Sequence, residues 1–105
     1  MGELGEFVPA LKVPDLAEGT MSSVDLKGVH VLLSKIGGEI YAVSGICTHE
    51  ETDLARGFVL EDRVVCPLHL SQFDLKTGLV MNPPAEIPLQ CFNVKIEGET
   101  IFVEV

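Results

Sequence analysis

The sequence predicts an all-β protein, arranged as an antiparallel β-sandwich or barrel. Short apolar runs rich in branched residues recur along the 105 residues, and turn-forming residues separate them. Nowhere do apolar residues recur at helical spacing for three full turns. A chain of this length is long enough for one buried core and too short for a second. We therefore expect little helix and a single domain over residues 1–105.

The first half of the chain predicts two short strands followed by a hairpin. The strands are expected at Phe7–Leu11 and Met21–Leu26. The hairpin begins with the branched run Val29–Ile36, turns at Gly37-Gly38 and returns through the alternating segment Glu39–Val43. A pair of glycines between two such runs is a strong signal for a tight turn.

The middle of the chain predicts shorter elements. Thr52–Arg56 favours a single helical or 3₁₀ turn. Four short strands are then expected, with a turn at Lys76–Gly78 before the last of them. These strands are Phe58–Leu60, Arg63–Cys66, Gln72–Leu75 and Leu79–Met81.

A second hairpin is expected near residue 105. In its first arm Phe92, Val94 and Ile96 alternate with polar residues, which predicts one shared apolar face. Gly98 then turns the chain into a second alternating arm over residues 101–105.

The charge of the chain excludes some classes of partner. Sixteen Asp and Glu residues against seven Lys and Arg give a formal net charge of −9. Such a surface repels phosphate backbones and anionic lipids, so we expect neither nucleic-acid nor membrane binding. The same field attracts a protein with a basic patch, although acidity also serves solubility alone.

The first residues and the cysteine count indicate a reducing compartment. Residues 1–6 lack the basic and apolar regions of an export signal, and no run approaches the ~18 apolar residues of a membrane span. We therefore expect a cytoplasmic protein. Three cysteines are an odd number for a disulfide framework, which makes metal binding the better explanation.

Two short segments concentrate the metal-binding residue types. Cys47-Thr48-His49 and Cys66-Pro67-Leu68-His69 contain four of the six Cys and His residues of the chain. The sixteen residues between them, 50–65, include a predicted hairpin that can return the second segment beside the first. Each segment offers one thiolate and one imidazole, and together they provide four ligands.

The two segments resemble the signature of the Rieske iron–sulfur family, which pairs Cys-x-His with Cys-x-x-His across a spacer of this length. The flanking residues 45–49 and 66–78 also match the family, and the likeness extends over essentially the whole chain. The resemblance implies a Rieske-type fold with a small cluster-binding subdomain formed by two loops.

The resemblance further implies one [2Fe–2S] cluster, with Cys47 and Cys66 on one iron and His49 and His69 on the other. Since neutral imidazoles replace two thiolates, the cluster takes up an electron easily. Rieske centres lie at about −150 to +300 mV, against about −400 mV for plant-type clusters. The outer imidazole nitrogens are expected to couple the potential to pH in the alkaline range.

Departures from the signature indicate a branch of the family. High-potential members carry a disulfide between the two loops, but Thr52 and Leu68 occupy the matching positions here. They also place a tyrosine hydroxyl near a ligand thiolate, where this chain has Phe73, while Ser71 retains a second potential-raising hydroxyl. A lost hydrogen bond to sulfur predicts a potential low in the Rieske range. Leu70 stands directly after His69, at a position where members of the family often have glycine.

Within the low-potential branch of the family, this chain resembles the ferredoxin components of aromatic-ring dioxygenases. This likeness implies a monomeric electron carrier between a flavin reductase and an oxygenase or another redox partner. A catalytic oxygenase needs a further domain with a mononuclear iron on two histidines and a carboxylate, and no histidine follows His69. We therefore expect an electron-transfer component and no catalytic residues.

Other interpretations stay open at this point. The same four ligands could hold one structural zinc, or the chain could be a small Rieske subunit of a nitrite-reductase-like complex. His30 and Cys91 are expected to be packing or surface residues, and no role is assigned to them. Pro83-Pro84 is compatible with a simple turn, and the resemblance implies a third loop here that covers the cluster.

Overall fold

The computed structural model describes residues 5–47, 52–67, 71–82 and 87–105, and these ranges contain eleven strands and two 3₁₀ turns. The 3₁₀ turns are Val13–Asp15 and Leu54–Arg56. No helix in these ranges is long and apolar enough to cross a membrane. The strands are β1 (Phe7–Lys12), β2 (Met21–Leu26), β3 (Val29–Ile36), β4 (Glu39–Ser44), β5 (Phe58–Leu60), β6 (Arg63–Val65), β7 (Gln72–Asp74), β8 (Val80–Asn82), β9 (Cys91–Phe92), β10 (Val94–Glu97) and β11 (Thr100–Glu104).

The strands form three sheets, and every pairing within them is antiparallel. The sheet orders are β1-β11-β10, β2-β3-β4-β9 and β5-β6-β7-β8. The predicted all-β antiparallel class is confirmed. Over the described ranges the sheets remain open and do not close into a barrel.

The central sheet, β2-β3-β4-β9, is buried on both faces. On one face Leu32 and its cross-strand partner Val43 pack against the core beneath β5–β8. On the other face Val31 and Leu33 pack with Ile101 of β11. Adjacent residues of β3 therefore belong to different cores, as the alternation of side chains along a strand requires.

The sheet β5–β8 is inserted between two neighbouring strands of the central sheet. Val43 of β4 pairs with Cys91 of β9, and the Ser44 amide donates to the Gln90 carbonyl at 2.8 Å. The chain thus leaves the central sheet and returns to it at adjacent points. The residues of interest for metal binding all lie within this insertion.

The strand predictions are confirmed to within about a residue, with one exception at β9 and β10. The expectation of one continuous strand through Phe92, Val94 and Ile96 is wrong, although Phe92 and Val94 do pack against the same core. Phe92 pairs with β4 in the central sheet, whereas Val94 pairs with Val103 in another sheet, and Ile96 is half-exposed. The chain changes sheets at Asn93, whose side-chain amide donates to the Glu104 carboxylate at 2.9 Å.

Candidate metal centre

The two cysteines make equivalent backbone hydrogen bonds, each to the residue five positions later, and we call these two hydrogen-bonded pairs the first and second neck. At the first neck, the Cys47 amide donates to the Thr52 carbonyl at 2.8 Å, and four residues lie between them in sequence. At the second neck, the Cys66 amide donates to the Ser71 carbonyl, also at 2.8 Å and also across four residues. The fold therefore presents both cysteines in the same way.

Each neck is the end of an antiparallel pairing. Ile46 pairs with Asp53 just before the first neck, and Val65 pairs with Gln72 just before the second. Such pairings fix the backbone directions of both cysteines. Of the four predicted ligands, His49 and His69 lie outside the described residues, as do Leu68, Leu70 and the predicted Pro83-Pro84 loop.

The structure brings Cys47 and Cys66 into one buried cluster. Both residues are fully buried, and they share a core with Leu54, Val64 and Phe73. No disulfide joins either cysteine to another residue in the described ranges. Two thiols in one apolar pocket are a suitable pair of ligands for iron, because a thiolate there requires a cation. The described residues thus fit the sulfur side of a Rieske centre.

Close backbone packing supports both necks. The Gly45 amide donates to the His30 carbonyl at 2.9 Å, and the Leu54 amide donates to the Gly45 carbonyl at 2.8 Å. A Cβ atom at Gly57 would lie 1.9 Å from the Val65 carbonyl oxygen, which leaves no room for a side chain. Gly57, at the end of the 3₁₀ turn, therefore packs directly against Val65, the residue before Cys66.

His30 is the feature of this site that sequence reasoning missed. Its Nδ1 lies 2.6 Å from Asp25 Oδ1, and its Nε2 lies 3.1 Å from Asp53 Oδ2. The hydrogen bond to Asp25 raises the pKa of His30, burial opposes this effect, and Asp53 adds to it. The hairpin register could have revealed the pairing of Asp25 with His30, but nothing in the sequence places Asp53 beside them.

Asp53 is stabilised as a carboxylate. Burial acts to raise its pKa, but the hydrogen bond from the Ala55 amide, together with His30 and Arg56, outweighs burial and lowers the pKa. The Ala55 amide donates to Asp53 Oδ1 at 2.9 Å, which caps the 3₁₀ turn Leu54–Arg56. The predicted short helical turn is confirmed, and its cap is also a partner of His30.

Phe73 and Ser71 lie at the two positions where high-potential family members carry hydroxyl groups that raise the reduction potential. Both are fully buried, and Phe73 packs in the core that holds Cys47 and Cys66. Its ring has no hydroxyl to offer a ligand thiolate.

Comparison with known proteins decides the family. The model of the Rieske [2Fe-2S] domain matches residues 6–93. The chain belongs to the Rieske [2Fe–2S] family. The predicted cofactor, one Rieske-type cluster, is confirmed at the level of the family.

Individual Rieske proteins extend the likeness over nearly the whole chain. The 3-phenylpropionate/cinnamic acid dioxygenase ferredoxin subunit of Shigella boydii is 38% identical over 96 residues, which are 90% of each chain. The ferredoxin of carbazole 1,9a-dioxygenase from Nocardioides aromaticivorans is 29% identical, with a TM-score of 0.89 over 93% of this chain and 96% of that one. A chain in a complex of reduced oxygenase and oxidised ferredoxin in carbazole 1,9a-dioxygenase is 26% identical, with a TM-score of 0.88 over 93% and 92%.

Proposed function

We propose that this Rieske protein is the ferredoxin component of a multicomponent oxygenase system, in which it carries single electrons from a flavin reductase to an oxygenase. The observation that carries the proposal is the matched pair of necks, whose two cysteines, Cys47 and Cys66, are buried together in one core. Relatives that match over 90% of both chains are named as dioxygenase ferredoxin subunits.

In this proposal Cys47 and Cys66 ligate one iron, and His49 and His69 ligate the other. A bound Rieske cluster accepts and releases one electron at a time. The chain's own part is to orient the two thiolates through the necks and to exclude water from them with Leu54, Val64 and Phe73. Exclusion of water limits the solvent rearrangement that accompanies a change of charge.

The partner assignment is supported by charge and by a relative. A net charge of −9 favours rapid encounter with proteins that present a basic patch. The carbazole dioxygenase ferredoxin forms a complex with its oxygenase. The absence of a tyrosine hydroxyl at Phe73 supports a potential low in the Rieske range. We also propose a cytoplasmic location, which the exposed Cys91 thiol supports because the cytosol keeps such thiols reduced.

The ligand assignment predicts which single variants lose the cluster. Cys47→Ser, His49→Ala, Cys66→Ser and His69→Ala should each abolish the visible absorbance and the electron-spin signal of the dithionite-reduced protein. Cys91→Ser is the matched control and should keep both, since Cys91 itself is exposed. Iron and labile sulfide are measured on each preparation. Zinc in place of iron in the wild-type protein would contradict the proposal.

The carrier role is tested by reconstitution. The purified protein, a flavin reductase and a ring-hydroxylating oxygenase should together consume NADH and oxygenate an aromatic substrate, whereas omission of this protein should stop product formation. The Cys66→Ser protein should not restore turnover. A cluster-loaded protein that accepts no electrons from any such reductase would count against the role.

A further inference from the structure

Three titratable side chains from three parts of the chain meet beside the first neck. His30 lies on β3, Asp25 is its cross-strand partner on β2, and Asp53 follows the first neck. Its Nδ1 is hydrogen-bonded to Asp25 Oδ1 at 2.6 Å, and its buried Nε2, which makes no hydrogen bond within the described residues, lies within ion-pair distance of Asp53 Oδ2 at 3.1 Å. A protonated His30 attracts both carboxylates, whereas a neutral imidazole carries no charge to attract them.

Asp53 connects this group to Cys47. It pairs with Ile46, its neighbour Thr52 accepts the hydrogen bond from the Cys47 amide, and its other carboxylate oxygen caps the 3₁₀ turn. A displacement of Asp53 would therefore disturb both the pairing and the cap that hold the first neck.

His30 also contacts the strand that leads into Cys47. Its carbonyl accepts the Gly45 amide, and a Cβ atom added at Gly45 would lie 2.6 Å from His30 Cδ2. The imidazole thus packs directly on the Gly45 backbone. His30 therefore contacts the chain before Cys47 through Gly45 and the chain after Thr52 through Asp53.

We propose that His30 is a positioning residue for the cluster, because its imidazolium joins Asp25 to Asp53, fastens the first neck to β2 and β3, and favours the reduced cluster through its positive charge. The proposal rests on the ligand role of Cys47. The charged groups that act on the His30–Asp53 pair, within the described part of the chain, are Asp25 on β2 and Arg56 in the 3₁₀ turn.

The pH window follows from the direction of the His30 shift. Because the folded pKa is raised above 6.5, the stabilisation is fully present below pH 6.5 and is lost as pH rises through the folded value. Asp53, whose pKa is lowered, remains charged throughout this window.

The test compares His30→Gln with wild type and with Lys27→Gln. Lys27 lies in the turn of the same hairpin, where it pairs with exposed Glu6, so its replacement removes an equal charge without touching the neck. Release of the cluster to an iron chelator is followed by absorbance from pH 5.5 to 9. Below pH 6.5, His30→Gln should release the cluster about fivefold faster than wild type, a factor that corresponds to ~1 kcal/mol. The rates should converge above the folded pKa of His30, and Lys27→Gln should follow wild type.

The reduction potential gives a readout that a purely structural role would not move. His30→Gln should have a lower potential than wild type below pH 6.5, and the difference should disappear at high pH. A difference that is zero, or the same at every pH, overturns the proposal, and so do wild-type release rates in His30→Gln.

A milder variant keeps the proposal testable if His30→Gln folds poorly. Asp25 is mostly exposed, with 76% of its side chain accessible, so Asp25→Asn should fold while it removes the main cause of the raised pKa. The imidazole should then titrate at a lower pH by NMR, and the pH at which release accelerates should fall with it. An unshifted release profile overturns the proposal. Neither readout needs a reductase or an oxygenase, so failure here is distinct from failure of the electron-carrier role.

Discussion

The side chain of Glu18 closes the β3–β4 turn, which sets the register of that hairpin in the central sheet. Glu18 lies far from the β3–β4 turn in sequence, yet its carboxylate accepts the amides of Gly37 at 2.5 Å and Gly38 at 2.9 Å. Both glycines have positive φ, 62° and 82°, as a two-residue hairpin turn of this kind requires. Hydrogen bonds from Gly38 and then Gly37 lower the pKa of Glu18.

The lowered pKa predicts a pH-dependent role for Glu18. Glu18→Gln should lower the melting temperature at pH 7 by a few degrees. The stabilisation by the carboxylate is present above the ordinary pKa of 4.5 and is lost as pH falls through the lower folded value. Melting temperatures of the two proteins should therefore converge at acidic pH, below the folded pKa of Glu18. Glu39→Gln, which removes another exposed carboxylate beside the same turn, is the control, and an equal loss in both variants would contradict the prediction.

At the scale of elements, the tightest packing is where the 3₁₀ turn Leu54–Arg56 meets β6. Gly57 ends that turn with φ −87° and ψ −148°, so its φ is not in the left-handed region that favours glycine. The need for glycine there is therefore steric, since a Cβ would collide with the Val65 carbonyl beside the second neck.

Gly57→Ala is predicted to destabilise the protein by about 1–3 kcal/mol, the usual cost of overpacking, and to accelerate cluster release. Gly98→Ala is the control because Gly98 has φ +62° and open space around it. That variant should cost ~1 kcal/mol through its left-handed backbone and leave cluster release unchanged. Denaturant unfolding and chelator-release kinetics measure both effects. Equal release rates in the two variants would show that the contact with Val65 does not matter to the cluster.

Sequence patterns predicted most of these elements because side-chain alternation and turn residues are local signals. β2 and β5 have the predicted bounds, and Cys47 and Cys66, which the family signature singled out, are buried in one core. Alternation cannot say which sheet a strand joins, so Phe92 and Val94 were wrongly assigned to one strand. Nor can it bring together residues far apart in sequence, and for that reason the meeting of His30 with Asp53 was missed.

At the scale of the whole molecule, charge governs how the protein meets other proteins. Sixteen acidic residues against seven basic ones leave a net charge of −9 over 105 residues. Electrostatic attraction of this kind accelerates encounter and is screened by salt, with a Debye length of about 10 Å at 0.1 M.

Electron delivery to a basic partner should therefore slow as salt is added. We expect the second-order rate constant to fall about tenfold between low ionic strength and ~0.3 M, as measured by stopped-flow absorbance of the cluster. Chelator-driven cluster release is unimolecular in the protein and provides the internal control. A rate constant that does not change with salt would show that the acidic surface serves solubility alone.

The insertion of β5–β8 between β4 and β9 bears on how such proteins can be engineered. Residues 45–90 leave the central sheet after Ser44 and return to it at Cys91, and the Ser44 amide is hydrogen-bonded to the Gln90 carbonyl. A short linker could therefore replace this segment without distorting the remaining two sheets. Those sheets retain their own core, which includes Val31, Leu33 and Ile101. A chimaera that exchanges only this segment should therefore keep the host's scaffold and gain the donor's cluster-binding residues, while its potential still depends on the host residues at positions 25 and 30.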